Sequence, residues 1–261
     1  MLICPLGAHW LRHGWGVARW LASGSIHLRS TVASTMRTER TANALRGRLR
    51  RERRLEKLLE RSQEFEGALS TLLGQDGLRL FEESPKVLAC AGACALSIEH
   101  AGTVRLSFAS GAPNSGTALL RLQFEALLRG AWVLHAATDQ QAAKLARSLD
   151  SEAEQLAKNM PGAVDMIEAL GRKAPAGLVL PLQQFQSVSS KALNSFVHSG
   201  IHPLRRVSEG FPQALGEQIV RNSNGLMHFG YRLLASLCGS QDLMNQTTRI
   251  YREFEDCLPM A

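Results

Sequence analysis

The sequence predicts an all-α protein: a single multi-helix bundle with a poorly packed N-terminal arm. Three observations carry this expectation. Apolar residues recur at helical spacing through most of the chain after Thr38. Proline and glycine stand at the ends of the periodic segments. Strand-like stretches are nearly absent, since Leu178–Pro181 is too short to argue for one. No internal repeat is visible.

The elements follow in order. Residues 1–37 read as a basic, acid-poor arm and residues 38–261 as the bundle domain. The first 35 residues hold no acid and three of the four tryptophans, Trp10, Trp15 and Trp20. Scattered arginine and serine without acids is the composition of an organelle transit peptide, while His9, Arg12 and His13 interrupt any apolar core of a secretory signal. The favoured alternative is initiation at Met36. From Thr38 to Leu73 the pattern is helical; Arg46–Arg61 alternates arginine with glutamate as a solvated face does, and Leu69, Leu72 and Leu73 turn to the core. A second helix is expected from Pro85, capped by Ser84, to about Ser110. Residues 111–116, GAPNSG, connect it to a third helix ending near Leu134. Asp139–Asn159 reads as one or two solvated helices, and Met160–Ala176 as a broken region with room for a short one. Leu182–Ser199 is a helix stopped by Gly200 and Pro203, Pro212–Leu237 one stopped by Gly239, and Gln241–Cys257 a final amphipathic helix.

The net charge of +7 conceals a division. Residues 1–55 carry 11 arginines and 2 acids, whereas the other 206 residues carry 19 bases and 21 acids. The body is therefore near neutral, and a nucleic-acid footprint spread across it is not supported. Five cysteines without a Cys-x-x-Cys pair argue against a disulfide framework and for a cytoplasmic protein. Cys90 and Cys94, in the run ACAGACA, are read as small residues at a close helix–helix approach. No run of about 18 apolar residues is found, so no transmembrane segment is expected.

The third helix carries charges in an unusual place. At 100° per residue, Arg121, Glu125, Arg129 and Trp132 share about 80° of arc, with apolar residues on both sides. A helix apolar nearly all round is buried, so the Arg–Glu–Arg ladder is expected inside the protein. Buried charges cost several kcal/mol unless paired. The stripe is then an internal ion-pair network or the floor of a polar site. A second polar group lies near Gly200: Lys191, Asn194, Ser195 and His198 share a helix face, and His202, Arg205 and Arg206 follow in what reads as a loop. Such a corner suits an anion. His198 and His202 have zinc spacing, but Gly200 breaks the helix that would align them, so neither metal nor cofactor is expected. His100, on a helix rich in small residues, is read as a hydrogen-bonded core histidine. Phosphate-loop, dinucleotide-binding, nucleophile-elbow and zinc-protease patterns do not occur.

Arg221 with His228, and Arg129 with His135, have the arginine–histidine spacing of metal-independent ribonucleases of the HEPN superfamily, which are helical and work as dimers. An imidazole could take a 2′-hydroxyl proton while a guanidinium holds the phosphate. About two such matches arise by chance in a chain this rich in arginine, so the spacing alone carries no weight.

From about Leu59 to Leu258 the chain resembles a family of bacterial all-helical proteins of unknown function. The likeness rests on Gly116, Arg121, Glu125, Arg129-Gly130 and Trp132, on Ser195-x-x-His198-x-Gly200, and on the order of the remaining helices. Phe196 and Val197 replace a more polar Tyr-Thr pair. Neighbouring helical families are associated with phage defence and toxin–antitoxin systems, a fold-level analogy.

Two readings follow, the first favoured by the convergence of arginine, histidine and tryptophan on two helices; a third, a membrane-surface protein using the basic arm, fails if Met36 is the start. In the first, His198, Arg121 and Arg129 form the catalytic centre of a HEPN-like RNA-cleaving effector, with Glu125, Trp132, Ser195, Arg205 and Arg206 as binding groups. In the second, the same residues belong to a non-catalytic module, structural or binding a small anionic ligand. RNA or a small anion is the expected partner, with a homodimer as a further expectation. Both readings turn on whether His198 reaches the Arg121–Glu125–Arg129 face.

Overall fold

The computed structural model describes residues 29–74, 79–148, 155 and 160–259. Among them are nine α-helices, one short 3-10 turn and no strand. The chain divides into two units at Gly47, residues 1–47 and 48–261. In the first unit only residues from Arg29 on are described, and these are helical, so the expectation for the arm lies largely outside the described residues.

The elements are α1 (Arg29–Gly74), α2 (Pro85–Ala109), α3 (Pro113–His135), α4 (Asp139–Ala146), α5 (Ala163–Lys173), α6 (Ala176–Val197), α7 (Ile201–Glu209), α8 (Gln213–Leu237), α9 (Gln241–Glu253) and the turn Glu255–Cys257. α2 starts as expected, with Ser84 accepting from the Val87 amide and Pro85 in the first turn. The broken region holds its short helix, α5. Boundaries differ from expectation at α6 and α7. α6 starts at Ala176 and keeps Pro181 inside it as its sixth residue, where the ring leaves the Gly177 carbonyl without the amide that would otherwise pair with it. The loop after Gly200 is the helix α7, with Pro203 in its first turn.

Helix α2 sits at the centre, packed on α3 and α8, and small residues let the three axes close up. A Cβ on Gly130 of α3 would lie 3.2 Å from Ala93 Cβ, 3.4 Å from the Cys90 carbonyl and 3.5 Å from Cys94 Sγ. Gly230 of α8 lies against the Cys94 carbonyl and Ile98. At the other end the Phe108 ring is clasped between two glycines: a Cβ on Gly116 would stand 2.9 Å from it and one on Gly216 3.0 Å. The close-packing role read for Cys90 and Cys94 is what the structure places there. The hydrogen bond with Cys90, together with burial, pushes the Cys94 thiol well up, and burial raises that of Cys257 to about 11.

Polar contacts set the register. Ser97 donates to the Gln123 carbonyl (3.0 Å), Gln123 Nε2 to the Ser223 carbonyl (2.8 Å) and Ser223 Oγ to Gln123 Oε1 (2.7 Å), joining α2, α3 and α8 in the dry interior. Asn224 donates to Ser62 (2.7 Å) and to the Cys257 carbonyl (2.8 Å), tying α8 to α1 and the C-terminal turn. The deepest ion pair joins Arg105 of α2 to Glu66 of α1, and Arg105 also reaches Met227. By length and composition α2 could cross a membrane, unlike the expectation; its Val87, Cys90, Cys94, Ser97, Ala101 and Val104 are buried within the bundle.

Two substitutions test this packing. Gly116→Ala should lose about 1–3 kcal/mol, because Phe108 is held on both sides, while Gly67→Ala on the open face of α1 should gain up to about 1 kcal/mol of helix propensity. Urea unfolding of the two variants checks the opposite signs. Glu66→Gln should cost about 3 kcal/mol by stranding the Arg105 guanidinium, measured in the same way.

Candidate functional site

The charged stripe of α3 is half-buried, not interior as expected. Arg121 Nε donates to Glu125 Oε1 at 2.7 Å, and Arg121 Nη1 reaches the Ser190 carbonyl of α6 at 3.3 Å. The side chains of Arg121 and Glu125 are 14% and 40% exposed, so water reaches the acid. Glu125 does not bridge two arginines: among the described residues Arg129 makes no hydrogen bond or ion pair. Glu125 and Arg129 line the two cavities described next, whereas Gln123, Phe124, Leu127 and Gly130 of the same helix are buried.

Arg129 and Glu125 stand where two cavities adjoin. One is a groove of about 560 Å³ between α2, α3 and α4, with Leu88, Gly92, Leu96, Leu122 and Leu145 among its walls and His100 half-buried in its lining. The other, about 310 Å³, lies toward the start of α5, lined by Leu128, Met160, Pro161, Gly162, Ala163 and Met166. Lys86 holds α4 over the edge of the groove through Asp139 at 2.8 Å, and Thr138 with Gln141 caps that helix. The arrangement offers one guanidinium, one carboxylate already engaged on one oxygen, and apolar walls.

The structure does not bring His198 to this face. The Phe124–Phe185 stack, with centroids 4.8 Å apart, and the Arg121–Ser190 bond show that α3 and α6 run antiparallel. His198 lies eight residues beyond Ser190 and Arg129 eight residues beyond Arg121 in the opposite direction. At about 1.5 Å per residue their levels differ by about 24 Å along the bundle. His198 itself is exposed at the C-terminal cap of α6. Trp132, expected as a wall of the site, is 3% exposed and belongs to the core.

The Ser195–Gly200 motif builds a corner. Ser195 Oγ accepts the His202 amide at 3.1 Å and its carbonyl accepts the Gly200 amide at 2.7 Å. A Cβ on Gly200 would stand 2.6 Å from Ser195 Oγ, which explains the glycine. Ser199 takes the left-handed conformation at φ 52°, and Phe196 stacks on His202 with ring planes 8° apart. Arg205 pairs with Glu209 one turn on, and Arg206 is half-buried. Ser195 is thus occupied in joining α6 to α7.

The two arginine–histidine spacings fare differently. Arg221 donates to the carbonyls of Asp256 (2.6 Å) and Leu258 (3.1 Å), holding the C-terminal turn. His228 is buried beside Tyr251, and its Nε2 lies 3.2 Å from the Thr247 carbonyl. A carbonyl only accepts, so Nε2 carries the proton. Burial, helped by the Arg232 charge, lowers its pKa to about 4. His135 lines a separate cavity of about 280 Å³ with Arg232, Phe229 and Ser236, and burial lowers its pKa as well. The sequence reading missed Arg105, Glu66, Gln123 and Asn224. The available signal was a single interior cation in the apolar helix α2 and an acid beside Phe65.

A family model matches residues 94–260, from the middle of α2 through the C-terminal turn. The chain belongs to DUF6988, a family of unknown function. The match takes in the whole α3 stripe and the α6–α7 corner, and leaves out α1. No curated protein and no solved structure matches.

The histidine in the core makes a testable pH dependence. The native state holds His228 neutral down to about pH 4, whereas an unfolded chain protonates it near 6.5. Its contribution is therefore complete above pH 6.5 and is lost as pH falls toward 4, by about 3 kcal/mol over the interval. Urea unfolding of the parent chain should show that decline. His228→Gln, which keeps a donor for Thr247, should show a loss smaller by that amount.

Proposed function

We propose that this protein is a non-catalytic helical module that binds a small amphipathic anion in the groove beside Arg129. The observation that carries the reading is the position of Arg129: a guanidinium without a hydrogen-bond or ion-pair partner among the described residues, set between an apolar groove of about 560 Å³ and a second cavity. The volume falls in the range of small-molecule sites, and such sites combine apolar walls with a few polar groups. A carboxylate, sulfonate or phosphate would take the guanidinium in charge-assisted hydrogen bonds. Its apolar body would lie along Leu88, Gly92, Leu96 and Leu122. Glu125, drawn to Arg121, leaves Arg129 for the ligand and disfavours a dianion lying deep along the stripe.

The ribonuclease reading asks for an imidazole within hydrogen-bond reach of the phosphate-holding guanidinium. His198 is about 24 Å along the bundle from Arg129, and His228 is sealed in the core. Binding without catalysis therefore accounts for the geometry with fewer assumptions.

The probe is 1-anilinonaphthalene-8-sulfonate, a sulfonate on an apolar aromatic body. Its fluorescence titration should give a saturable site that weakens about tenfold or more in Arg129→Gln, the loss expected for one hydrogen bond to a charged group. Leu122→Asp, which puts a carboxylate in the groove wall, should weaken it likewise. His198→Ala should leave it unchanged. Equal binding by the parent chain and Arg129→Gln overturns the assignment; RNA cleavage that is lost in His198→Ala restores the ribonuclease reading.

A further inference from the structure

We infer that helix α7, with the adjoining end of α6, is a docking surface for an anionic phospholipid bilayer. The inference concerns a face separate from the Arg129 groove and does not depend on it.

The first observation is that α7 is amphipathic but turned the wrong way for a core helix. At 100° per residue Ile201, Leu204 and Val207 occupy about 120° of arc, and His202, Arg205 and Arg206 lie outside it. An amphipathic helix on a globular body turns its apolar arc inward. Here no residue of α7 is buried. Ile201, Leu204 and Val207 are 70%, 63% and 78% exposed, and the half-buried positions are Pro203 and Arg206. The corner described above makes this orientation a property of the fold: the Ser195–His202 bond and the Phe196–His202 stack fasten the polar side of α7 to α6. Val188, farther back in α6, is 74% exposed as well.

The second observation is charge. Residues 169–208, which include all of α6 and α7 except Glu209, form a stretch of 40 residues without a single acid. The stretch holds Arg172, Lys173, Lys191, Arg205 and Arg206, and Glu209, just after it, pairs with Arg205. An apolar arc flanked by cations on a helix lying along a surface matches the interface of an anionic membrane, where aliphatic side chains enter the acyl boundary and cations meet phosphate. A nucleic acid would use the cations but leave the aliphatic residues in water. A second copy of the chain would bury them, yet three aliphatic side chains present on the order of 300 Å², less than half of what each partner contributes to a standard interface.

The test uses the full chain with two sets of sedimented vesicles, one of phosphatidylcholine and one of phosphatidylcholine with phosphatidylglycerol. The parent chain should partition to the anionic vesicles and not to the neutral ones. The triple variant Ile201→Ser, Leu204→Ser, Val207→Ser keeps every charge, including the arginine-rich residues 1–55, and should lose more than tenfold of that partition. Arg206→Gln should lose about fivefold, the contribution of one cation near an anionic surface. Unchanged helicity by circular dichroism establishes that the variants are folded, and the single change Leu204→Ser serves if the triple is not. Equal partition of the parent and the triple variant overturns the inference, because the N-terminal arginines would then account for binding. Absence of binding to anionic vesicles overturns it too, as does a dimer in light scattering that the triple variant dissociates.

Discussion

The close approach of α2 to α3 and α8 is the constraint on which the rest of this structure depends. Gly130 and Gly230 meet the Ala93–Cys94 segment of α2, and Gly116 and Gly216 clasp Phe108 nearer its C-terminal end. Side chains of ordinary size at these points would force the axes apart, and the layers beyond would lose their footing. The same economy of volume shapes the outer surface. Where α2 presents Ala89, Gly92 and Ala93 beside α3, a groove opens between the helices, with Leu145 and Ala146 of α4 in its lining. The groove holding Arg129 is thus a by-product of how tightly the central helices pack.

Polar groups inside the bundle set position more than they add strength. The Ser97–Gln123–Ser223 contacts satisfy one another across three helices, so a slide of α3 by one turn would leave buried donors and acceptors without partners. Asn224 does the same for the C-terminal turn, together with Arg221. Arg61 fixes that turn from the other side, donating to Asp256 and the Glu253 carbonyl while lying over the Phe254 ring. The Arg105–Glu66 pair belongs here as well. Its attraction roughly offsets the desolvation of two ions, so its effect is to pin α1 against α2 in one register.

The surface divides by chemistry. On one side an apolar seam carries a single guanidinium; on another, a short helix turns aliphatic groups outward, with Glu209, its one acid, paired to Arg205. The Ser195–Gly200 corner decides the second arrangement. Because Ser195 takes the amides of Gly200 and His202 and Phe196 takes the His202 ring, the side of that helix bearing His202 is fastened to α6 and its aliphatic side turns outward. The residues that looked like an anion-binding corner are those that build this turn.

By itself the sequence determined the all-α class, most helix positions and the role of the small residues at Cys90 and Cys94. These depend on local spacing, caps and side-chain size, all of which a chain carries without reference to distant parts. It also marked Arg121, Glu125 and Arg129 as unusual, which they are. Tertiary structure decided which of the charges are buried and which residues meet. Periodicity measures how apolar a face is and not what covers it, so the interior ion pair was looked for on α3 and stands between Arg105 and Glu66. The α7 helix was read as a loop because glycine and proline end most helices; here Gly200 only turns the chain, and Pro203 sits in a first turn that needs no amide from it. The separation of His198 from Arg129 follows from the antiparallel run of α3 and α6, and that run is set by Phe124 on Phe185 and Arg121 on Ser190, contacts between residues more than sixty positions apart.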